Sequence, residues 1–477
     1  MKKPAVGIAL IALVTMATLA GGYWWTTSRQ RTEVLRQALP PTPDLAAWPE
    51  EFPQRVSECE AAVRAGHEPE TALGNLSRLY HANGFYAEAI HCYVALEYLK
   101  PGNPEWPHRH AVILSGFGDA DDALQLFRRV TRLSPDYLPA RIRSGDLLLK
   151  QSRYDDARGA YQGVLDRSPN ESHALLGLAR CEFEAGDWES ALVILEKVVG
   201  QTNYRLGYDL IVTVYQQLGL ESRAEFVRAK QKASGAYRDP PDPWMELLYQ
   251  HCYDVYRLTL IAGEAADRGN PKAAIRYLER GLTFAPQSAS LHFQLALTLQ
   301  DVGDLDQARR HLERCTELDP DFADGWAYLS GLLTRLGRSA DADRVLATGL
   351  GRCPDSPGLH LMNARRLKQA SDVDGAIREY QVSIALRPNE ADASIELASF
   401  LFDLNRIEEG VARLQEALAA EPENPIALST LAFHAIMAGD QARARHWIEQ
   451  AARQPRVGTD RINGLKSAYR QQFGSNP

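Results

Sequence analysis

Apolar positions along this chain follow two patterns. From Pro4 to Ser28 they form one uncharged run rich in Ala, Val, Leu and Ile, whereas from about residue 70 to 458 they recur in short helix-length stretches on a 34-residue period. Proline marks that period at Pro101, Pro135 and Pro169 and again, after a gap, at Pro286, Pro320, Pro354, Pro388 and Pro422. Such a period predicts a helix-turn-helix unit that cannot bury its own apolar face and must stack on copies of itself.

Four further columns agree with the prolines. Twenty-four residues before them stand small side chains, Ala111, Gly145, Ala179, Ala262, Ala296, Ser330, Ala364 and Ala398, which let helix axes approach closely. Seventeen before them stand turn formers, Gly84, Gly118, Ser152, Gly269, Gly303, Gly337, Ser371 and Asn405, which predict helix ends in left-handed backbone. Twelve before them comes alanine, from Ala89 to Ala376, with a single lapse at Gly410. Eight before them a ring or branched chain, such as Tyr93, Phe127, Tyr161, Leu278 or Tyr380, fills the gap toward the next unit.

In these columns the chain resembles the tetratricopeptide-repeat family over residues 70 to 458, with local departures at Pro107, Arg141 and Ser394, where a bulky residue is usual. The resemblance implies an all-α fold, a right-handed superhelical solenoid of helix pairs. The period slips once: 117 residues separate Pro169 from Pro286, three periods and 15 residues more. Three prolines in Pro240-Pro241-Asp242-Pro243 exclude a helix interior, so 236–254 reads as a joint between a first array of about five repeats (70–235) and a second of about six (255–458). The joint is either a passive linker or a place where Trp244, Tyr249, Tyr253 and Tyr256 cap a superhelix or form a docking point.

The run at 4–28 is long enough for a membrane-spanning helix, with Tyr23, Trp24 and Trp25 at its far edge, and residues 1–28 are expected to be a signal anchor. Lys2 and Lys3 would stay cytoplasmic, which puts the repeats on the periplasmic side of a bacterial inner membrane; cleavage between Ala17 and Gly22, with secretion, is the alternative. Residues 29–69 hold a leading helix and a spacer, stiff over 40–53 with its five prolines, and 459–477 form a tail.

A net charge of −8 gives no electrostatic case for nucleic acid. Six cysteines, never closer than 33 residues apart, exclude a Cys-x-x-Cys redox pair or zinc knuckle and read as structural thiols. Nothing in the chain matches a nucleophile elbow, a phosphate loop or a dinucleotide fingerprint, so no enzyme, cofactor or metal is expected. His108-Arg109-His110 is the nearest approach to a metal pair; residues two apart diverge on a helix, and the trio reads as solvated first-helix surface.

The family resemblance implies that first helices line a concave groove for a peptide or protein segment. Carried over by position, it places Arg78, His81, His108, Asp146, Arg180 and Phe183 in the first array's groove. In the second it places Tyr256, Phe293, Leu297, Ala327, Leu361, Arg365, Lys368, Ile395, Phe402 and Phe433. The lysine–asparagine pair with which chaperone-binding members clamp a terminal carboxylate is replaced by Gly74-Asn75, His108-Arg109 and Ile142-Arg143, so capture of chaperone tails is not expected. The expected role is a membrane-anchored protein-binding scaffold for envelope assembly, maturation or export. Glycan binding in polysaccharide secretion and self-association stand as alternatives.

Overall fold

The computed structural model describes residues 30–232, 235, 240–454 and 457–477. Among these residues regular structure is helical, apart from one isolated bridge between Tyr204 and Gly235. The expected membrane span at 4–28 lies outside the described residues. Among the described residues no helix is long and apolar enough to cross a membrane.

The chain divides into two compact units between Ile261 and Ala262. In the first, α1 (Glu51–Ala65) precedes five helix pairs. These are α2 (Pro69–Ala82) with α3 (Tyr86–Leu99), α4 (Glu105–Phe117) with α5 (Ala120–Leu133), and α6 (Leu138–Lys150) with α7 (Tyr154–Leu165). The remaining two are α8 (Ser172–Ala185) with α9 (Trp188–Gln201), and α10 (Arg205–Gln217) with α11 (Glu221–Lys232). The short α12 (Pro243–Glu246) and a 3₁₀ turn (Leu247–His251) follow, then α13 (Val255–Asp267). The second unit continues with α14 (Pro271–Phe284), α15 (Ala289–Asp301), α16 (Leu305–Leu318), α17 (Ala323–Arg335), α18 (Ser339–Arg352), α19 (Pro357–Gln369) and α20 (Val373–Leu386). It closes with α21 (Asp392–Asp403), α22 (Ile407–Ala420), α23 (Pro425–Met437), α24 (Gln441–Arg453) and α25 (Thr459–Phe473).

The columns do the packing expected of them. Ala111, Ala179, Ala296, Ala364 and Ala398 are fully or almost fully buried, as are Ala123, Ala157, Ala308 and Ala376 in the second helices. The turn column adopts positive φ, which Ser152 (58°), Ser371 (62°) and Asn405 (61°) accept despite their side chains. Gly118 departs: its backbone is extended, and the α4–α5 turn is instead closed by Asp119, whose carboxylate accepts the amides of Asp121 and Asp122. The lapse at Gly410 has a cause, because a Cβ there would sit 2.4 Å from the ring of Phe402. One regularity adds to the proline period: the carbonyls of Pro286, Pro320 and Pro354 each accept a ring N–H from the residue six positions on, His292 (3.2 Å), Trp326 (2.8 Å) and His360 (2.8 Å).

Two expectations are corrected. Residues 40–53, expected as a stiff spacer, pack on the first pair: Pro40, Leu45 and Phe52 are buried, and the rings of Trp48 (tilted) and Phe52 (stacked) lie 5.2 and 5.9 Å from Phe85, because these apolar rings cover the open end of the first pair. The tail carries α25, which buries Leu465 and Tyr469 against Ala432, Ile436 and Ile448 and so covers the apolar face that the last pair would expose. All six cysteines are free thiols, with Cys315 fully buried in its small-residue column.

Candidate peptide-binding faces

The joint does not run past the first array; it lies on the faces of its first helices. Asp242 is buried there among donors from two successive pairs: His108 Nε2 on α4 at 2.9 Å, Arg143 Nε on α6 at 2.8 Å, and the Tyr137 hydroxyl at 2.5 Å. Burial would raise the Asp242 carboxyl, but the hydrogen bond and charge of His108, together with Arg143 and Tyr137, hold it well below the usual carboxylate range. Burial lowers the His108 imidazole, against the opposing pull of Asp242. His108 donates to the carboxylate through Nε2 and Arg143 through Nε.

Two residues on, the Trp244 ring stacks on Tyr137 with centroids 3.5 Å apart and planes 11° from parallel. Its carbonyl accepts from Arg109 Nη2 at 2.7 Å and Nε at 3.2 Å. Arg109 is itself fully buried, with Glu105 at 2.5 Å from Nη1. Further along, Asn83 at the end of α2 reads backbone: its Nδ2 donates to the His251 carbonyl at 2.8 Å, and its Oδ1 accepts the amides of Tyr253 (2.6 Å) and Asp254 (3.2 Å). Leu248, Cys252 and Tyr253 are buried, the last with its ring 5.3 Å from Phe52. An irregular segment is thus held across three helix pairs by one carboxylate pocket, one aromatic platform and one backbone clamp.

Several sequence expectations change here. His108 and Arg109 are not solvated surface but fully buried, because the joint covers them. His81 offers nothing to a ligand: it is buried, its Nδ1 lies 2.9 Å from the Tyr93 hydroxyl, and burial with nearby Arg109 and Arg257 pushes its imidazole down to about 3. Arg78 is half-buried, 3.2 Å from Glu105 and above the Trp106 ring. Arg180 and Phe183 are half-buried on α8, with Phe183 edge-on to Trp188. Tyr256 is 71 % exposed.

In the second unit Phe293 packs edge-on to Phe322 and Tyr328 at 4.9 and 5.2 Å, and Leu297 and Leu361 are half-buried. The two cations are engaged by the next first helix: Arg365 pairs with Glu396 on α21, and Lys368 reaches Asp403 at 3.2 Å. Phe402 is half-buried, its ring lying over Gly410 and stacked on His434 at 3.7 Å. Tyr328 and Phe433 remain open, each 47 % exposed. Phe433 lines a groove of about 500 Å³ between α23 and α25 with Ile426, Thr430, Arg461, Leu465 and Ala468.

Sequence reading missed Asn83, Tyr137, Arg143 and Asp242. The available signal was charge: Arg109 and Arg143 occupy equivalent positions on neighbouring first helices, with His108 beside the first, and the joint carries an acid between two prolines. Among the described residues no cluster of three metal-ligating side chains occurs.

Residues 142–204 and 401–456 match one family model described as tetratricopeptide repeat, and residues 114–160 and 299–365 match a second with the same description. Among curated proteins, the DnaJ homolog subfamily C member 3 of Rattus norvegicus is 24 % identical over 269 residues, 56 % of this chain and 46 % of that protein. The cellulose synthase operon protein C of Pseudomonas fluorescens is 25 % identical over 198 residues, 38 % of this chain and 15 % of that one. The chain spans less than half the length of these relatives. Among solved structures, yeast Tom70 aligns over 84 % of this chain and 96 % of its own with a TM-score of 0.40 and 16 % identity. The matched segments resemble tetratricopeptide repeats and are built of the helix pairs described above.

Proposed function

We propose that this chain is a non-enzymatic scaffold that holds segments of partner proteins against the first-helix faces of its repeats. One observation carries the reading: the first array already holds an irregular chain segment there through a carboxylate pocket, a ring platform and a backbone clamp, the contacts by which a partner peptide would be held. The second unit offers Tyr328 and the Phe433 groove as apolar anchors for such a segment. Anchoring through residues 4–28, with the repeats facing the periplasm of a bacterial envelope, completes the proposal and rests on the composition of that run.

The test is site-specific photo-crosslinking in cells from positions 328 and 433 of the full-length chain. Adducts to a small set of membrane or envelope proteins, lost when the probe is moved to the buried position 346, support the scaffold; the same unspecific pattern from every position refutes it. A glycan-binding reading is favoured by the exposed rings of Tyr328 and Phe433. It predicts saturable binding of oligosaccharides that Tyr328→Ala weakens, and titration without a signal removes it.

A further inference from the structure

The segment on the first array is held in a way that distinguishes it from ordinary core. Its side nearest α1 and α2 is apolar, with Leu248, Cys252 and Tyr253 buried. Its Pro241–Leu247 half is different: Pro241, Pro243, Glu246 and Leu247 are exposed, and only Asp242 is deeply covered, with Trp244 half-buried on Tyr137. Two side chains, one carbonyl and one amide hold this half: the Trp244 N–H donates to the Tyr137 hydroxyl at 3.1 Å, and the other three contacts select chemistry. The pocket at Asp242 demands a carboxylate, since three donors converge on it. Tyr137 demands a flat ring two residues later, and Arg109 takes the carbonyl of that same residue.

Removing the occupant would uncover His108, Arg109 and Arg143 together, of which, among the described residues, only Arg109 has a carboxylate, Glu105, as a second partner. Uncovered, these groups would be met by water, so a carboxylate is favoured there as far as it replaces that hydration, while a neutral group in its place leaves them covered and without an acceptor, which is costly. The face therefore selects an acidic occupant over a neutral one, and one acidic occupant only weakly over another. The resident holds its place mainly because it is tethered, which raises its local concentration to about the millimolar range.

We propose that the first-helix face of the first three pairs is a recognition site for a protein segment carrying Asp, any residue, then an aromatic ring, that Asp242–Trp244 is its resident occupant, and that a partner bearing such an acidic-aromatic segment enters by exchange with it. The inference concerns a different face from Tyr328 and Phe433, so its failure leaves the scaffold reading and its crosslinking test intact.

The probe is a fluorescein-labelled peptide with the sequence of residues 240–254, titrated by anisotropy into the full-length chain in detergent. In the chain altered by Asp242→Asn and Trp244→Ala the resident is weakened, and the peptide binds at least about tenfold more tightly than to the unaltered chain. A peptide with asparagine at its first aspartate, or a chain that also carries Arg143→Gln, loses that gain. Equal binding to altered and unaltered chains, or binding indifferent to the peptide's carboxylate and to Arg143, overturns the proposal. Where the double variant melts early by circular dichroism, Asp242→Asn alone keeps the shape of the segment and gives the same readout. Light scattering accompanies the titration: a dimer of the unaltered chain that Asp242→Asn dissolves identifies the exchanging segment as that of a second copy and overturns a foreign partner.

Discussion

Replacing Gly177 by alanine sets two rules against each other. In a helix interior alanine is favoured over glycine by about 1 kcal/mol. A Cβ at 177, however, would lie 2.2 Å from Cζ and 2.4 Å from Cε1 of Tyr161, the ring that fills the gap between α6 and α8. That ring has no room to retreat, because Gly145 leaves just its space on the other side, where a Cβ would come within 2.6 Å. Its hydroxyl is also fixed, donating to Asp146 at 2.7 Å. Overpacking of this kind costs about 1–3 kcal/mol, and a displaced ring gives up a hydrogen bond to a charged acceptor worth about 1.5–3 kcal/mol. After the propensity gain, Gly177→Ala is expected to destabilise the first unit by about 1.5–5 kcal/mol, a fall in Tm of roughly 3–20 °C for a unit of this size. Thermal melting followed by circular dichroism reads it. In a Tyr161→Ala background the same substitution turns neutral or stabilising, giving a coupling of at least about 1.5 kcal/mol. A Gly177→Ala chain that melts at or above the unaltered temperature refutes the packing argument and leaves helix propensity in charge.

Asp242→Ala leaves His108, Arg143 and the Tyr137 hydroxyl without their common acceptor and is expected to cost about 2–3 kcal/mol, read as a fall in the denaturation midpoint of the first unit. Stability is expected to fall with acid: His81 and His108 are buried with imidazoles lowered from the ordinary value, so below about pH 6.5 the unfolded chain binds protons that the folded chain refuses. Their contribution is whole above that pH and is lost as pH falls, the His81 ring's share by about 1.4 kcal/mol per pH unit down to its lowered value of about 3. Urea titrations from pH 7.5 to 5 measure this, and a flat or rising profile on acidification contradicts it. In the second unit Arg365→Ala breaks a pair whose side chains are 51 % and 33 % exposed, so the loss is expected below about 1 kcal/mol in the same titration.

The repeat architecture was legible because its causes are local and periodic. A small residue at a helix crossing, a left-handed turn and a ring at the gap each depend on neighbours at fixed offsets, and Ala111, Ser152 and Tyr161 lie where the columns put them. The groove was less legible because its contents are not periodic. Whether His108 meets water or a carboxylate depends on a segment 134 residues away, and no offset within the repeat encodes it. Phe402 shows the same limit at short range: its position in the unit points to the groove, but Gly410 in the next helix offers it a slot. Arg365 and Lys368 were identified as charges on the right helix, while their partners Glu396 and Asp403 belong to the next repeat and were not paired with them.

The filled face of the first array is tested most directly by hydrogen exchange of the full-length chain, followed by mass spectrometry over residues 248–256. The amides of Tyr253 and Asp254 donate to Asn83, so they are expected to exchange at least about a hundredfold more slowly than free chain, and Asn83→Ala is expected to abolish that protection while leaving α4 and α6 protected. Exchange of this segment at the free-chain rate in the unaltered protein, with the helices around it protected, would contradict an occupied face.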